Sequence, residues 1–369
     1  MHRTYMFRIY PTKAQEMTLC ETIETCRRTY NSFLDDKTKN GTGFKDQRSN
    51  LSRRRKEDKY LKKVHSQVLQ NISSRLQLAF QSYDKGITGY PRFKRTGKYN
   101  SFTYPQATGF ALSNGRLRLA FVGRVRIRQH REVPGKIKTC TVVRRLDCWY
   151  AGITTEIASN DKGDTLKLPI GLDLGIHSVV TLSDGTQIPG PRFLAKRAAR
   201  LRTLQRSLSR KCPNSNNREK ARLKFARAWR KVGNQRMDFA HKLSRLLADN
   251  YSPIFFEDLD IRKMTGNRQL ASAILDSCWG MLRRLTASKA ESCNGRVMLV
   301  DPRWTSQKCS RCGSIENPSH GTRTFSCRSC GLVLDRDINA AKNILKMGLE
   351  RARVEAGPLP TPRVGKSSL

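Results

Sequence analysis

The feature that most constrains this chain is a pair of cysteine knuckles near its carboxyl end. Each knuckle holds two cysteines two residues apart, and fourteen residues separate the knuckles, which comprise Cys309, Cys312, Cys327 and Cys330. A glycine follows each knuckle and permits the tight turn that points both thiolates at one centre. This spacing is typical of a zinc ribbon, in which four thiolates hold one Zn²⁺ tetrahedrally, and not of a redox pair or of buried apolar cysteines.

The other seven cysteines are scattered, and no long apolar stretch at the start of the chain marks it for export. We therefore interpret these thiols as small buried apolar groups in a reducing compartment and not as a disulfide framework. A membrane helix needs about 18 or more consecutive apolar residues, and the sequence contains no such run. The expected location is the cytoplasm.

Charge narrows the class of partner. The 369 residues carry 71 Lys and Arg against 30 Asp and Glu, a formal net charge of +41. So large an excess of one sign would repel the compact state unless a polyanion neutralises it, and nucleic acid is therefore the expected partner. The excess is concentrated in residues 1–167, with a net charge of +20, and in residues 192–250, with +15.

The amino-terminal 167 residues predict two long helices and a set of short strands. Apolar side chains recur at helical spacing over residues 12–34 and 64–83. Further along, residues 116–119 and 124–128 alternate arginine with leucine, valine or isoleucine. Because successive side chains of a strand point to opposite faces, each segment would bury its apolar residues and expose a row of arginines. We predict a small antiparallel barrel or curled sheet with a basic outer face.

Basic and aromatic side chains in this half are candidates for contact with nucleic acid. A run of four basic residues begins at Arg53, and residues 89–104 interleave basic with aromatic side chains. Cations pair with backbone phosphates and rings stack on bases, whereas a solvated surface is the alternative interpretation. The candidates are Arg53, Arg54, Arg55, Arg92, Phe93, Lys94, Tyr104, Arg124, Arg126 and Arg128.

The carboxyl-terminal half predicts a buried sheet interrupted by a basic helical hairpin. Apolar strand patterns occupy residues 168–182, 252–259 and 296–300, and the helical stretch at 192–250 carries 18 basic and 3 acidic side chains. A helical hairpin with apolar side chains along one face and basic side chains on the opposite face is suited to lie along nucleic acid. A basic face that contacts only solvent is again the alternative interpretation. A helix is expected around residues 270–290 and a short one over 335–345.

Three acidic residues stand where an unpaired charge would be costly. Asp173 lies within an apolar strand pattern, Glu257 ends another, and Asp337 begins a helix whose alanines permit close packing against a sheet. Any one of them could instead be a cap or an ion-pair partner. Together, on two strands and a helix start, they predict a site for two Mg²⁺ ions and hence phosphodiester hydrolysis. We leave out of this site the neighbouring acids Asp258, Asp260 and Asp335.

Several segments resemble motifs of the TnpB family, transposon-encoded RNA-guided nucleases akin to compact type V CRISPR effectors. Its three RuvC motifs resemble Gly171-Leu-Asp-Leu-Gly175, Phe256-Glu-Asp-Leu259 and Asp335-Arg-Asp-Ile-Asn-Ala-Ala-Lys-Asn-Ile344. The two halves of its zinc ribbon are similar to Trp304-Thr-Ser-Gln-Lys-Cys-Ser-Arg-Cys-Gly313 and Arg323-Thr-Phe-Ser-Cys-Arg-Ser-Cys-Gly331. These motifs follow the family's order, and with further landmarks the resemblance extends over almost the whole chain.

The resemblance implies an α+β multidomain fold, in which a wedge-type β-barrel with an inserted helical recognition lobe precedes a ribonuclease H-like RuvC α/β domain. A helical hairpin and a zinc ribbon would interrupt the RuvC domain. The implied segments are the barrel and lobe at 1–167 with helices over about 12–83, RuvC parts at 168–300 and 334–348, the hairpin at 192–250, a target-binding ribbon at 301–333 and a flexible tail at 349–369.

The resemblance also implies an activity. The three acids would be the catalytic, metal-binding triad of a Mg²⁺-dependent endonuclease with structural Zn²⁺. Guide RNA from a transposon end would direct it to double-stranded DNA beside a short transposon-adjacent motif. Ser66, Gln67 and Gln70 are candidates for reading that motif, since glutamine can make two hydrogen bonds to adenine. A monomer or weak dimer in a prokaryotic cytoplasm, associated with the nucleoid, is expected.

Three other functions stay open on sequence grounds. A nuclease-inactive, RNA-guided repressor of the same ancestry would have no reason to keep all three acids. A transposase, or a protein accessory to one, would use the same kind of triad to join DNA strands. A non-catalytic zinc-ribbon protein that binds RNA would leave the buried acids without a role.

Overall fold

The computed structural model describes residues 2–157, 167–266, 268–317 and 322–356. Contacts divide the chain into two compact units, one within residues 1–159 and the other within 160–369. The expected turn at residues 160–164 lies outside the described residues. Each unit has hydrophobic core residues of its own.

The first unit contains a seven-stranded antiparallel sheet. Its strands are β1 His2–Tyr10, β2 Ser101–Tyr104, β3 Phe110–Ser113, β4 Arg116–Leu119, β5 Gly123–Arg128, β6 Lys136–Arg145 and β7 Cys148–Glu156. They pair in the order β2-β6-β7-β1-β5-β4-β3. This order has two ends, and within residues 2–157 no pairing of β2 with β3 closes the predicted barrel.

Within residues 2–157 five α-helices complete the first unit: α1 Lys13–Asn40, α2 Phe44–Ser49, α3 Leu51–Glu57, α4 Lys59–Lys62 and α5 Ser66–Asp84. Thr12 and Gln15 form a capping box that begins α1. The helix extends six residues beyond the predicted end at residue 34. An ion pair between Asp35 and Lys39 supports the added turn, and Gly41 ends the helix in the left-handed conformation at φ 62°.

The second unit contains a five-stranded mixed sheet. Its strands are β8 Leu168–Asp173, β9 Ser178–Leu182, β10 Gln187–Pro189, β11 Tyr251–Glu257 and β12 Val297–Val300. They pair in the order β10-β9-β8-β11-β12, with β8, β11 and β12 parallel and with β9 antiparallel to both of its neighbours. The side chains of β9 and most of those of β11 are buried, as the continuous apolar runs predict.

In the described part of the second unit, six α-helices accompany this sheet: α6 Ala198–Ser209, α7 Asn216–Asn250, α8 Ile261–Met264, α9 Arg268–Ser277, α10 Trp279–Glu291 and α11 Arg336–Ala356. The helix expected around 270–290 is in fact two helices, because Cys278 between them has φ 60°. None of the described helices is both long enough and apolar enough to cross a membrane.

Helix α11 extends eleven residues beyond its predicted end at residue 345. Residues 349–356, expected as part of a flexible tail, continue it, because Ile344 and Ala352 pack with Phe255, Met298 and Val300 in a shared core. This corrects the first part of the expected tail. Residues 357–369 lie outside the described part of the chain.

Two glycines allow α11 to approach the sheet closely. A methyl group on Gly171 of β8 would collide with the carbonyl oxygen of Ala341 and lie 2.5 Å from the amide nitrogen of Leu345. A methyl group on Gly348 of α11 would collide with the ring of Phe255. The helix therefore packs on the strands with no room for a side chain at either position.

This close approach yields a stability prediction. We expect Gly171→Ala to lower the free energy of unfolding by about 1–3 kcal/mol, because the clash is with backbone atoms that cannot rotate away. Gly233→Ala is the matched control. A methyl group there meets nothing within 4 Å inside α7, so it should raise stability by about 0.5–1 kcal/mol. Thermal and urea unfolding would measure both, and similar effects of the two substitutions would contradict the packing.

Candidate active site and metal centre

Three acidic side chains lie at one edge of the second sheet. Asp173 is the last residue of β8, and Glu257 is the last residue of β11. These strands are parallel neighbours, so their carboxyl ends lie at the same edge. Asp337 lies in the first turn of α11, which packs across β8 at Gly171. The fold thus places the three predicted acids close to one another.

The surroundings disfavour the charged form of all three carboxyls. Burial, and after it repulsion from Glu257 and Asp337, together raise the pKa of Asp173 to about 8. Burial also raises the pKa of Glu257, against a hydrogen bond from Thr305 that favours the carboxylate. For Asp337, burial raises the pKa first and repulsion from Asp335 second. Carboxyls that repel one another in a partly buried site are suited to bind cations.

The neighbouring acids Asp335, Asp260 and Asp258 each have other partners. Asp335 accepts hydrogen bonds from the backbone N–H groups of Asp337 and Ile338, at 2.9 and 3.2 Å, and so caps α11. Asp260 caps α8 in the same way. The carboxylate of Asp258 pairs with Arg283 at 3.2 Å.

The spacing of the acids bears on which cation they could hold. Among the described residues, the four knuckle cysteines form the one group of thiol, imidazole or carboxyl side chains whose ligand atoms all lie within 4.8 Å of one another. The three carboxyls are spread more widely than that. Hard oxygen ligands of this kind suit Mg²⁺.

The four cysteines fit a zinc ion. Hairpin strands β13 Thr324–Ser326 and β14 Val333–Asp335 flank the second knuckle. The sulfurs of Cys309 and Cys330 are 3.6 Å apart, and those of Cys312 and Cys327 are 3.5 Å apart. Sulfur ligands ~2.3 Å from a tetrahedral Zn²⁺ ion are roughly 3.8 Å from one another. The ligand set and its spacing are therefore those of a structural zinc site.

Ser314 prepares two of these thiols for metal binding. Its hydroxyl lies 3.2 Å from the sulfur of Cys312 and 3.1 Å from that of Cys327. Hydrogen bonding to Ser314 lowers the pKa of both thiols, that of Cys312 to about 6. Since the thiolate is the form that binds a metal ion, this contact favours the ligand state.

The basic face predicted for the first sheet is present. Arg124, Arg126 and Arg128 are exposed on β5, between the buried side chains of Val125 and Ile127. The pairing register sets three pairs of arginines opposite one another, Arg116 with Arg126, Arg118 with Arg124 and Arg8 with Arg128. Like charges in these positions destabilise a sheet. A surface of this kind gains stability from an anionic partner.

The other predicted contacts are of mixed character. Arg53, Gln70, Arg92 and Phe93 are exposed. Arg54 pairs with Asp36 at 2.7 Å, and Arg55 donates to the carbonyl oxygens of Leu61 and Lys62.

Ser66 is half-buried, and Gln67 is held by side-chain hydrogen bonds to Gln106 and Thr108. The backbone of Lys94 is bonded to Asn31, and its amine lies over the ring of Tyr30.

Tyr104 requires a correction. Its ring is 1% exposed in the first core, and its hydroxyl donates to the carbonyl oxygen of Ala120 at 2.9 Å. A ring in this position cannot stack on a base. The misassignment arose because residues 89–104 run from a loop into β2, where alternate side chains turn inward.

Three buried polar residues near the acids were not predicted from the sequence. Thr305, Asn339 and Asn343 are 4%, 0% and 4% exposed, and all three lie within segments quoted above for their resemblance to the zinc ribbon and the third RuvC motif. The hydroxyl of Thr305 donates to Glu257 at 2.5 Å. Position within a motif was the available signal, but only the fold reveals what these polar groups contact.

Three matches to known families lie in order along the chain. Residues 1–41 match a "Helix-turn-helix domain" of the OrfB_IS605 group, and residues 153–268 match the family OrfB_IS605, described as "Probable transposase". Residues 279–344 match the "Cas12f1-like, TNB domain". In this structure the described part of the first segment forms β1 and α1, a strand followed by one long helix.

Two relatives are similar over most of the chain. One from Streptomyces pristinaespiralis, named "Putative RNA-guided DNA endonuclease", is 34% identical over 385 residues that cover 100% of this chain and 95% of the relative. Another, from Escherichia coli strain K12, is named "Putative RNA-guided DNA endonuclease InsQ". It is 32% identical over 308 residues, which cover 79% of this chain and 77% of the relative. A solved Cas12f1-sgRNA-target DNA complex contains a chain of similar fold, with a TM-score of 0.60 at 12% identity, covering 93% of this chain and 98% of that one.

The cysteine geometry yields a metal prediction. We expect the purified protein to contain about one zinc ion per chain, and Cys327→Ser to lose it and to melt at a lower temperature. Cys212→Ser is the control, because Cys212 is exposed and far along the chain from both knuckles. Elemental mass spectrometry would measure the zinc. Zinc retained in full by Cys327→Ser would contradict the four-thiolate site.

Proposed function

Since this chain belongs to the TnpB family, we propose that it is a Mg²⁺-dependent, RNA-guided endonuclease that cuts double-stranded DNA beside a short transposon-adjacent motif. Its guide would be RNA from a transposon end. The observation that carries the proposal is the placement of Asp173, Glu257 and Asp337 at one edge of a buried sheet. The names of the two relatives support the RNA-guided class.

The proposed division of labour follows the two units. The mixed sheet with its acidic edge supports a RuvC nuclease domain over residues 168–300 and 334–348, and the cysteine cluster supports a zinc ribbon over 301–333. The antiparallel sheet and its helices would be the wedge and recognition parts. Guide pairing would supply sequence specificity, while the protein reads duplex shape, backbone and the flanking motif.

In the proposed mechanism, Asp173, Glu257 and Asp337 would hold Mg²⁺ through carboxylate oxygens. The chemistry supplied by a bound pair of Mg²⁺ ions is the activation of water and the stabilisation of the leaving oxygen. Arg336 and Arg323 lie close enough to Asp337 to favour its ionised form. Their charges would also attract the scissile phosphate. Asp335 fixes the start of α11 and so fixes the position of Asp337.

The rows of arginine on β4 and β5 would bind RNA phosphates. Arg8 and Arg126 lie over the ring of Tyr10, at 5.1 and 5.8 Å from its centre, and that ring is 40% exposed. An exposed ring with two cations close to it offers base stacking and positive charge in one place. The helical hairpin α6–α7 would add a second basic surface in the other unit.

The direct test uses the protein co-purified with its RNA. We expect plasmid DNA that matches the guide and carries the flanking motif to be cut in Mg²⁺ and to stay intact in excess chelator. Cutting that persists without a matched guide would refute RNA guidance. Specific binding with no cutting by the native protein would instead favour the repressor, and strand joining would favour a transposase.

A substitution pair separates catalysis from helix capping. We expect Asp337→Asn to reduce cleavage at least 100-fold, because it removes a ligand charge from the metal site. Asp335→Asn should keep cleavage within a few fold, because asparagine also caps helices. Timed plasmid cleavage would measure both variants, with thermal melting as the check on folding. The proposed assignment would be wrong if Asp335→Asn abolished cleavage and Asp337→Asn did not.

A second pair of variants tests RNA binding by the arginines of β5. The double change Arg124→Gln, Arg126→Gln should reduce the slope of log affinity against log salt concentration by about 2, one for each phosphate that the variant no longer neutralises. Lys39→Gln is the control, since Lys39 pairs with Asp35 on α1. The free double variant should be at least as stable as the native protein, because repulsion between opposed arginines is relieved. An unchanged slope would exclude this surface from RNA binding.

A further inference from the structure

The first zinc knuckle is bonded directly to the helix that carries Asp337. Asn339 lies two residues after Asp337, and its amide group bonds to the backbone on both sides of Cys309. It donates to the carbonyl oxygen of Lys308 at 2.8 Å and accepts from the N–H of Ser310 at 2.9 Å. Its side chain is fully buried, so these bonds are shielded from competing water.

One turn further along α11, Asn343 bonds to the segment that precedes the knuckle. Its amide nitrogen donates to the carbonyl oxygens of Thr305 and Lys308, at 2.8 and 2.6 Å. Residues four apart share one helix face, so Asn339 and Asn343 hold residues 305–310 as a pair. These hydrogen bonds therefore fix the position of residues 305–310 relative to helix α11.

The same segment reaches the second acid. The hydroxyl of Thr305 lies 2.5 Å from a carboxylate oxygen of Glu257 and 3.1 Å from the carbonyl oxygen of Pro302. The hydroxyl has one proton to donate, and the oxygen of Glu257 is the closer acceptor. Thr305 and Glu257 are 4% and 6% exposed, so their contact is shielded from solvent. One short segment thus connects the zinc knuckle, the Asp337 helix and Glu257.

We propose that Thr305 is a positioning residue for Glu257, and that the zinc ribbon holds it in place through Asn339 and Asn343. The ribbon is then a structural support of the Mg²⁺ site in addition to any contact with nucleic acid. This inference rests on the proposed function, because it requires Glu257 to bind Mg²⁺. Hydrogen bonds that orient carboxylate ligands typically change metal affinity 10- to 100-fold when they are removed.

The test measures Mg²⁺ binding without cleavage, by calorimetry and by competition with luminescent Tb³⁺ on the full-length RNA complex. We expect Thr305→Val, which keeps the shape and removes the donor, to bind Mg²⁺ about 10- to 100-fold more weakly while it retains zinc. Thr305→Ser, which restores the hydroxyl, should bind within about threefold of the native protein. Thr203→Val is the control, because that exposed hydroxyl donates to the carbonyl oxygen of Ala199 within α6.

A zinc-free variant tests whether the ribbon holds Thr305 in place. Cys327→Ser should weaken Mg²⁺ binding as Thr305→Val does, because the released knuckle no longer fixes Thr305. If Thr305→Val fails to fold, Thr305→Ala removes the same donor. Native Mg²⁺ affinity in the folded hydroxyl-free variant, alongside loss of affinity in Glu257→Gln, would overturn this inference and leave the proposed function intact. Native Mg²⁺ affinity and cleavage in Glu257→Gln would overturn the proposed function itself.

Discussion

The close approach of helix α11 to strands β8 and β11 is the contact on which the candidate site depends. Two glycines and two buried alanines, Ala340 and Ala341, bring helix and sheet backbones together. The distance between backbones sets where Asp337 lies relative to Asp173, since one begins the helix and the other ends the strand. A larger residue at Gly171 would move the helix outward and separate the two carboxyls.

That packing concentrates like charges, and the surrounding structure offsets the cost. Burial and mutual repulsion raise the pKa of Asp173 to about 8, so the acids are poorly stabilised without a cation. Thr305 donates to Glu257, and Arg336 and Arg323 favour the ionised form of Asp337. The first sheet concentrates charge of the opposite sign, with arginines facing arginines across strands. Both arrangements gain stability from a ligand of opposite charge.

Much of the fold followed from local patterns. Alternating arginine and apolar residues located β4 and β5, and continuous apolar runs located β8, β9 and β11. The predicted helix boundaries were wrong where the tertiary structure overrides the local sequence pattern. Helix α11 continues because Ala352 enters a core that it shares with Phe255. The helix expected around 270–290 breaks at Cys278, and its left-handed conformation has no signature in composition.

The sequence by itself determined the ligand set of the cysteine cluster, the excess of basic charge and the three acids, because residue type and spacing decide which groups can bind metal or phosphate. Only the tertiary structure decided that Tyr104 is buried, that Asp335 caps a helix, and that Thr305 meets Glu257 across 48 residues of chain. The physical reason is distance along the chain. Spacing fixes geometry within a turn or a strand, whereas contacts between remote segments depend on how the whole core packs.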